Sequence, residues 1–202
     1  TAGLPTIALR CPAHPVMQAL LKKTGLNIAA PSANKSGGIS PTRAEHVLAG
    51  LGGAVPMILD GGPCSAGLES TIVAVREHGW QILRPGPVTA GDLERVLGIG
   101  PLAASGENIE APGQLASHYA PSKAVRLNAI QPEPGEWHIG FGAIEGNDNL
   151  SASGDLAQAA ANLFDALHRA DASAALSISV APIPHEGIGV AINDRLQRAS
   201  IR

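Results

Sequence analysis

Residues 98–122 divide this chain: Gly, Pro, Ala and Ser dominate there and no hydrophobic period survives. Such a stretch cannot run through one continuous core, so it reads as a linker or extended arm between two units. Before it, residues 15–23 place Val16, Ala19 and Leu20 at helical spacing and are stopped by Gly25. Residues 43–51 predict another helix, with Val47, Leu48 and Leu51 inward and Gly52-Gly53 ending it. The runs 27–30, 56–59, 70–75 and 80–83 are β-rich, and Gly79 suits a hairpin turn. Thr89-Ala90-Gly91-Asp92 opens a short helix through Val96.

After the linker, strand and helix alternate. Residues 123–130, 136–141 and 176–181 read as strands, and residues 190–199 as a closing helix. Residues 155–169 carry the strongest helical stripe, formed by Leu156, Ala159, Ala160, Leu163, Phe164 and Leu167. That alternation predicts a small parallel sheet and, for the whole chain, an α/β or α+β layer architecture.

The chain has 202 residues, enough for one large or two small domains. Aromatic residues are only 2%, so the core must be built from Ala, Leu, Ile and Val. A net charge of -3 gives no basic footprint for non-specific nucleic-acid binding. The two cysteines, Cys11 and Cys64, have no metal or redox spacing, and the seven histidines show no ligand-type pairing. No run approaches the roughly twenty apolar residues of a membrane span, and a cytoplasmic location is expected. Gly140-Phe141-Gly142 follows a strand but precedes an acidic loop, which does not support a dinucleotide fingerprint.

Chemistry concentrates in the loop Ala30-Pro31-Ser32-Ala33-Asn34-Lys35-Ser36-Gly37-Gly38-Ile39-Ser40-Pro41-Thr42. It sits between an apolar run and a helix start, where hydroxyls, an amide and bare N–H groups can meet an anion. A polar turn with a well-capped helix is an equal reading of the same residues. Either Ser40 caps with Pro41 at the first helical position, or Thr42-Arg43-Ala44-Glu45 forms a capping box.

Several blocks in order resemble the YrdC-like ATP-binding fold of threonylcarbamoyl-AMP synthases. They are Thr6-Ile7-Ala8-Leu9-Arg10, the Ser32-Ala33-Asn34 loop, Leu59-Asp60-Gly61-Gly62-Pro63-Cys64, Leu68-Glu69-Ser70-Thr71-Ile72-Val73 and Leu83-Arg84-Pro85-Gly86. Ala111-Pro112-Gly113 and His118-Tyr119-Ala120-Pro121 are similar to the linker of the long form. Phe141-Gly142, Asn149-Leu150-Ser151, Asn162-Leu163-Phe164 and Ala191-Ile192-Asn193-Asp194-Arg195-Leu196 resemble its second domain. The resemblance implies an α+β twisted-sheet YrdC-like portion over residues 1–99, a linker and active-site lid over 100–122, and a small Rossmann-like α/β domain over 123–202. Nothing like the family's upstream Lys-x-Arg motif precedes Thr6, so the YrdC-like domain is expected to be N-terminally incomplete and the chain weakly active or inactive.

The activity implied is synthesis of threonylcarbamoyl-AMP and pyrophosphate from L-threonine, bicarbonate and ATP, with magnesium. The product passes to the machinery that transfers threonylcarbamoyl to tRNA. By resemblance Arg10, Ser32 and Ser70 bind threonine, while Thr6, Asn34, Thr42, Arg84 and Tyr119 bind ATP. Arg10 suits a carboxylate because a guanidinium meets it through two parallel bonds, although an ordinary strand-end arginine explains it as well. Tyr119, the only tyrosine, is expected in a lid over ATP. Gln114-Leu115-Ala116-Ser117 replaces a more basic run of the family, so no extra phosphate contact is assigned to the linker. Alternatives are a non-catalytic RNA-binding module of this fold with weak RNA contact, or a carbamoyl-transfer domain of hydrogenase-maturation proteins. The acidic balance argues against the first, and the linker with its second domain against the other.

Overall fold

The computed structural model describes residues 6–103 and 118–201 of the chain. The expected linker blocks at Ala111-Pro112-Gly113 and Gln114-Leu115-Ala116-Ser117 lie outside the described residues.

The helices begin and end largely where local chemistry dictates. Helix α1 (Pro15–Thr24) starts on a proline and closes on Gly25, whose φ of 65° lets its N–H reach the Leu21 carbonyl. Helix α3 (Ala90–Leu97) has a reciprocal capping box between Thr89 and Asp92. Three bonds to Asp92, led by the Thr89 hydroxyl, hold its pKa down at about 2. Helix α2 (Ala44–Leu51) departs from expectation, because its N-cap is Arg43 and no side chain caps it. Ser40 donates its hydroxyl to Glu69 instead, and the Thr42 N–H is taken by His46 Nδ1 at 3.2 Å. Leu48, expected inward, is 61% exposed.

Strands β1 (Ile72–Arg76) and β2 (Gly79–Arg84) form an antiparallel hairpin. Residues 27–30 and 56–59, expected as strands, form none, and neither do residues 6–10, whose block resembles a strand of the family. Each has strand-like composition, but a strand exists only with a hydrogen-bonded neighbour, and no such ladder forms among the described residues. Their side chains stay outside, with Leu9 86% exposed.

The second unit is a parallel four-stranded sheet of β3 (Ala124–Arg126), β4 (Glu136–Gly140), β5 (Asp148–Asn149) and β6 (Ser177–Val180), ordered β3-β6-β4-β5. Helix α4 (Leu156–Ala172) enters it through an Asp155 N-cap, and α5 (Gly189–Ser200) closes the chain. The α4 stripe is buried as its period requires, with Leu163, Phe164 and Leu167 fully enclosed. Ile139, Ile178 and Val180 from the sheet meet it, as do Ile192 and Leu196 from α5. Ile39, Leu68 and Tyr119 enter this same core from outside the second unit. Gly67 marks a close approach: a Cβ there would sit 2.2 Å from the Ala160 carbonyl oxygen of α4. No described helix is long and apolar enough to cross a membrane.

Candidate functional site

The polar loop folds around its own asparagine. Asn34 Nδ2 donates to the carbonyls of Lys35 and Gly38 at 3.0 and 2.9 Å, and Gly37 turns the backbone with φ of 82°. The loop is then pinned to the segment after the linker, where the Ala120 N–H donates to the Gly37 carbonyl at 2.8 Å. Asn34 Oδ1 is buried without a hydrogen-bond partner.

Beside this loop opens a cleft of about 530 Å³. Arg10, Ser32, Thr42, Arg84 and Tyr119, five of the residues singled out in the sequence, line it together. Thr6, Asn34 and Ser70 do not. Thr6 is exposed, Asn34 is turned into its own loop, and Ser70 contributes its carbonyl while its side chain faces solvent.

Arg84 shapes one wall. It is only 5% exposed, and its Nε and Nη2 donate to the Ser70 carbonyl at 3.2 and 2.9 Å. Burial draws its pKa below the usual guanidinium range, with Tyr119 opposing. The turn after Arg84 is forced against the start of β1: a Cβ on Gly86 would lie 2.4 Å from the Thr71 nitrogen. Only glycine permits that approach, which holds the turn after β2 against the residues that lead into β1.

Tyr119 holds another wall. It is 1% exposed and adopts φ of 62°, which is unusual for a side-chain-bearing residue. Its ring packs against Phe164 of α4 at 5.6 Å and against His118 at 4.1 Å. Burial and nearby Glu69 push its hydroxyl pKa up, which keeps it neutral. Tyr119, expected in a lid over ATP, packs here against the core as a wall of the cleft.

Three cleft residues are held by the second unit. Arg43 forms a forked pair with Asp165 of α4, at 2.9 and 3.3 Å. His168 Nε2 donates to the Ser40 carbonyl at 3.1 Å. Glu69 accepts from Ser40 on one carboxylate oxygen and from Arg195 Nε at 2.8 Å on the other. Sequence reasoning did not single out Glu69, His168 or Arg195 as site residues. Arg195 carried a signal, because it falls on the apolar face of α5 beside Ile192, Leu196 and Ala199.

The cleft suits positioning of a charged ligand better than nucleophilic attack. Cys64 lines it, but burial, aided by Glu69, raises its pKa and keeps it a thiol. Among the described residues no three His, Cys, Asp or Glu side chains gather into a metal site. Asp60 is a cleft carboxylate, one oxygen of which accepts the Gly62 N–H at 2.8 Å.

Residues 1–86 match the Sua5, YciO and YrdC protein family, described as telomere recombination. Residues 88–200 match the family described as threonylcarbamoyl-AMP synthase, C-terminal domain. The threonylcarbamoyl-AMP synthase of Bacillus subtilis (strain 168) is 37% identical, covering 99% of this chain and 64% of that protein. That of Pyrococcus abyssi is 34% identical, covering 99% of this chain and 65% of its own length. The crystal structure of P. abyssi Sua5 complexed with L-threonine superposes with a TM-score of 0.85 at 31% identity, over 99% of this chain and 65% of that one. The chain thus spans a little under two thirds of the proteins it matches.

Proposed function

The chain belongs to the threonylcarbamoyl-AMP synthase family in its two-domain form, and we propose that its cleft binds L-threonine and ATP for threonylcarbamoyl-AMP synthesis. The observation that carries this reading is the gathering of Arg10, Ser32, Thr42, Arg84 and Tyr119 in one cleft. The P. abyssi relative, which has been crystallised with L-threonine, supports it.

In this reading the Arg10 guanidinium takes the threonine carboxylate through a fork, and the Ser32 hydroxyl orients the amino acid. Threonine and bicarbonate give a carbamate with loss of water. A carbamate oxygen then attacks the α-phosphate of ATP and pyrophosphate leaves. Thr42 at the start of α2 meets phosphate, where the helix dipole favours negative charge. Arg84 supplies positive potential in the wall, and Tyr119 limits water. Thr6 and Asn34 for the nucleotide and Ser70 for threonine rest on the resemblance alone, since none of the three lines the cleft.

Magnesium would travel with the nucleotide, held mainly by phosphates and water, with Asp60 as its protein carboxylate. Its contribution is neutralisation of phosphate charge. Glu69 is not part of that donor set, since both its carboxylate oxygens are taken by Ser40 and Arg195. The product would be handed to a tRNA threonylcarbamoyl transferase, and the two free cysteines accord with a cytoplasmic site of action.

Pyrophosphate release that requires L-threonine and bicarbonate together tests the proposal. Release with another amino acid but not with threonine contradicts it.

A further inference from the structure

The Arg195 guanidinium is 0% exposed and belongs to α5, yet its bonds run to three segments outside the second domain's own sheet. Its Nε donates to Glu69 Oε2 at 2.8 Å, and its Nη2 donates to the Pro85 carbonyl at 2.9 Å. Its Cζ lies 5.2 Å from the centre of the Tyr119 ring. Asp194 takes its remaining arm at 2.5 Å. Burial works against its charge, but Glu69, Tyr119 and Asp194 outweigh it and hold the pKa above the ordinary value.

Glu69 and Tyr119 line the cleft, and Pro85 adjoins it through Arg84. Glu69 precedes Ser70 and receives Ser40, Pro85 follows Arg84, and Tyr119 is itself a wall. We propose that Arg195 is the positioning residue through which the second domain sets the shape of the threonine and ATP cleft. This deepens the functional reading above and rests on it for the ligand. A planar fork with donors on two edges and a face for an aromatic ring is needed to join three segments at once. A lysine keeps the charge but offers one head, and a methionine leaves the Glu69 carboxylate without its buried counter-ion, while Asp194 keeps Arg198 at 3.0 Å.

The test is amide hydrogen exchange of the full ligand-free chain and its Arg195→Lys and Arg195→Met variants, followed by titration with L-threonine. In Arg195→Met, exchange is expected to rise about tenfold around residues 66–71, 84–88 and 118–121, while β6 and α4 keep their protection. Arg195→Lys is expected to rescue the segments of Glu69 and Tyr119 but not that of Pro85. Threonine affinity is expected to fall about tenfold in Arg195→Met and less in Arg195→Lys. Unchanged exchange in all three segments, or changes confined to α5, overturns the proposal. If Arg195→Met loses protection in α4 and β6 as well, Glu69→Gln decides, because it leaves α5 intact. It must then loosen residues 66–71 and 118–121, and their unchanged exchange overturns the proposal. Failure of the unsubstituted chain to bind threonine contradicts the functional reading alone, since the exchange result still decides the role of Arg195.

Discussion

His46 of α2 and His168 of α4 stack with ring centroids 3.9 Å apart and planes 27° from parallel. His46 Nδ1 accepts the Thr42 N–H, and His168 Nε2 donates to the Ser40 carbonyl, so the pair, one ring from each domain, supports two cleft residues of one loop. Burial pushes both pKa values down, and for His46 the neighbouring His168 adds to it. Asp165 opposes the shift in both, Arg43 and Glu45 act on His46 in opposite senses, and Asp171 opposes the shift in His168.

That arrangement fixes a pH dependence. A histidine whose folded pKa lies below its unfolded value of about 6.5 is protonated first in the unfolded chain. Its stabilising effect is whole above that value and declines as pH falls toward the lower folded value. His118 and His138, also depressed by burial, add to the same trend. Thermal unfolding between about pH 8 and about pH 5 should show falling Tm below about pH 6.5. The double variant His46→Asn with His168→Asn should show a shallower fall, and an equal slope would contradict the assignment.

Two glycines in the same region should respond differently to alanine. Gly67 has φ of +66° and its added Cβ would lie 2.2 Å from the Ala160 oxygen and 2.5 Å from the Ala161 Cα, both backbone of α4. Gly67→Ala is therefore expected to cost about 3 kcal/mol or more, since neither backbone can yield without parting the domains. Gly62 has φ of +82° with nothing within 4 Å of an added Cβ, so Gly62→Ala should cost only about 1 kcal/mol of backbone strain. Urea midpoints of the two variants check the difference.

Phe164 is fully buried and carries the Tyr119 ring on its face at 5.6 Å. Phe164→Ala should destabilise the chain by about 3–5 kcal/mol through transfer and cavity terms. Phe164→Leu should retain most of the stability, as read from urea unfolding.

Arg10 offers the opposite signature. It is exposed at the cleft, so Arg10→Ala should change stability by no more than about 0.5 kcal/mol. Threonine affinity should fall about 10-fold to 100-fold, as expected for loss of a charge-assisted carboxylate contact. Calorimetry at constant Tm separates the two effects.

The second domain was legible in the sequence because its signals are periodic. The α4 stripe from Leu156 to Leu167 fixes a buried face, and strand–helix alternation points to the parallel sheet that forms. Gly25 and the Thr89–Asp92 box closed α1 and opened α3 through contacts within a few residues. Long-range competition was not legible. Ser40 was a plausible cap until Glu69, 29 residues away, took its hydroxyl. The runs at 6–10, 27–30 and 56–59 have strand composition, but pairing depends on a neighbour that composition cannot supply. At the site, block resemblance singled out eight residues, of which Arg10, Ser32, Thr42, Arg84 and Tyr119 line one cleft while Thr6, Asn34 and Ser70 do not. Glu69 and Arg195 were not among them, because their partners lie 126 residues apart.

The most direct measurement is calorimetric titration of the chain with L-threonine, alone and then with ATP, magnesium and bicarbonate. The expected result is saturable threonine binding that tightens with nucleotide and is weakened in Arg10→Ala. Absence of threonine binding in a chain that remains folded would contradict the assignment of this cleft.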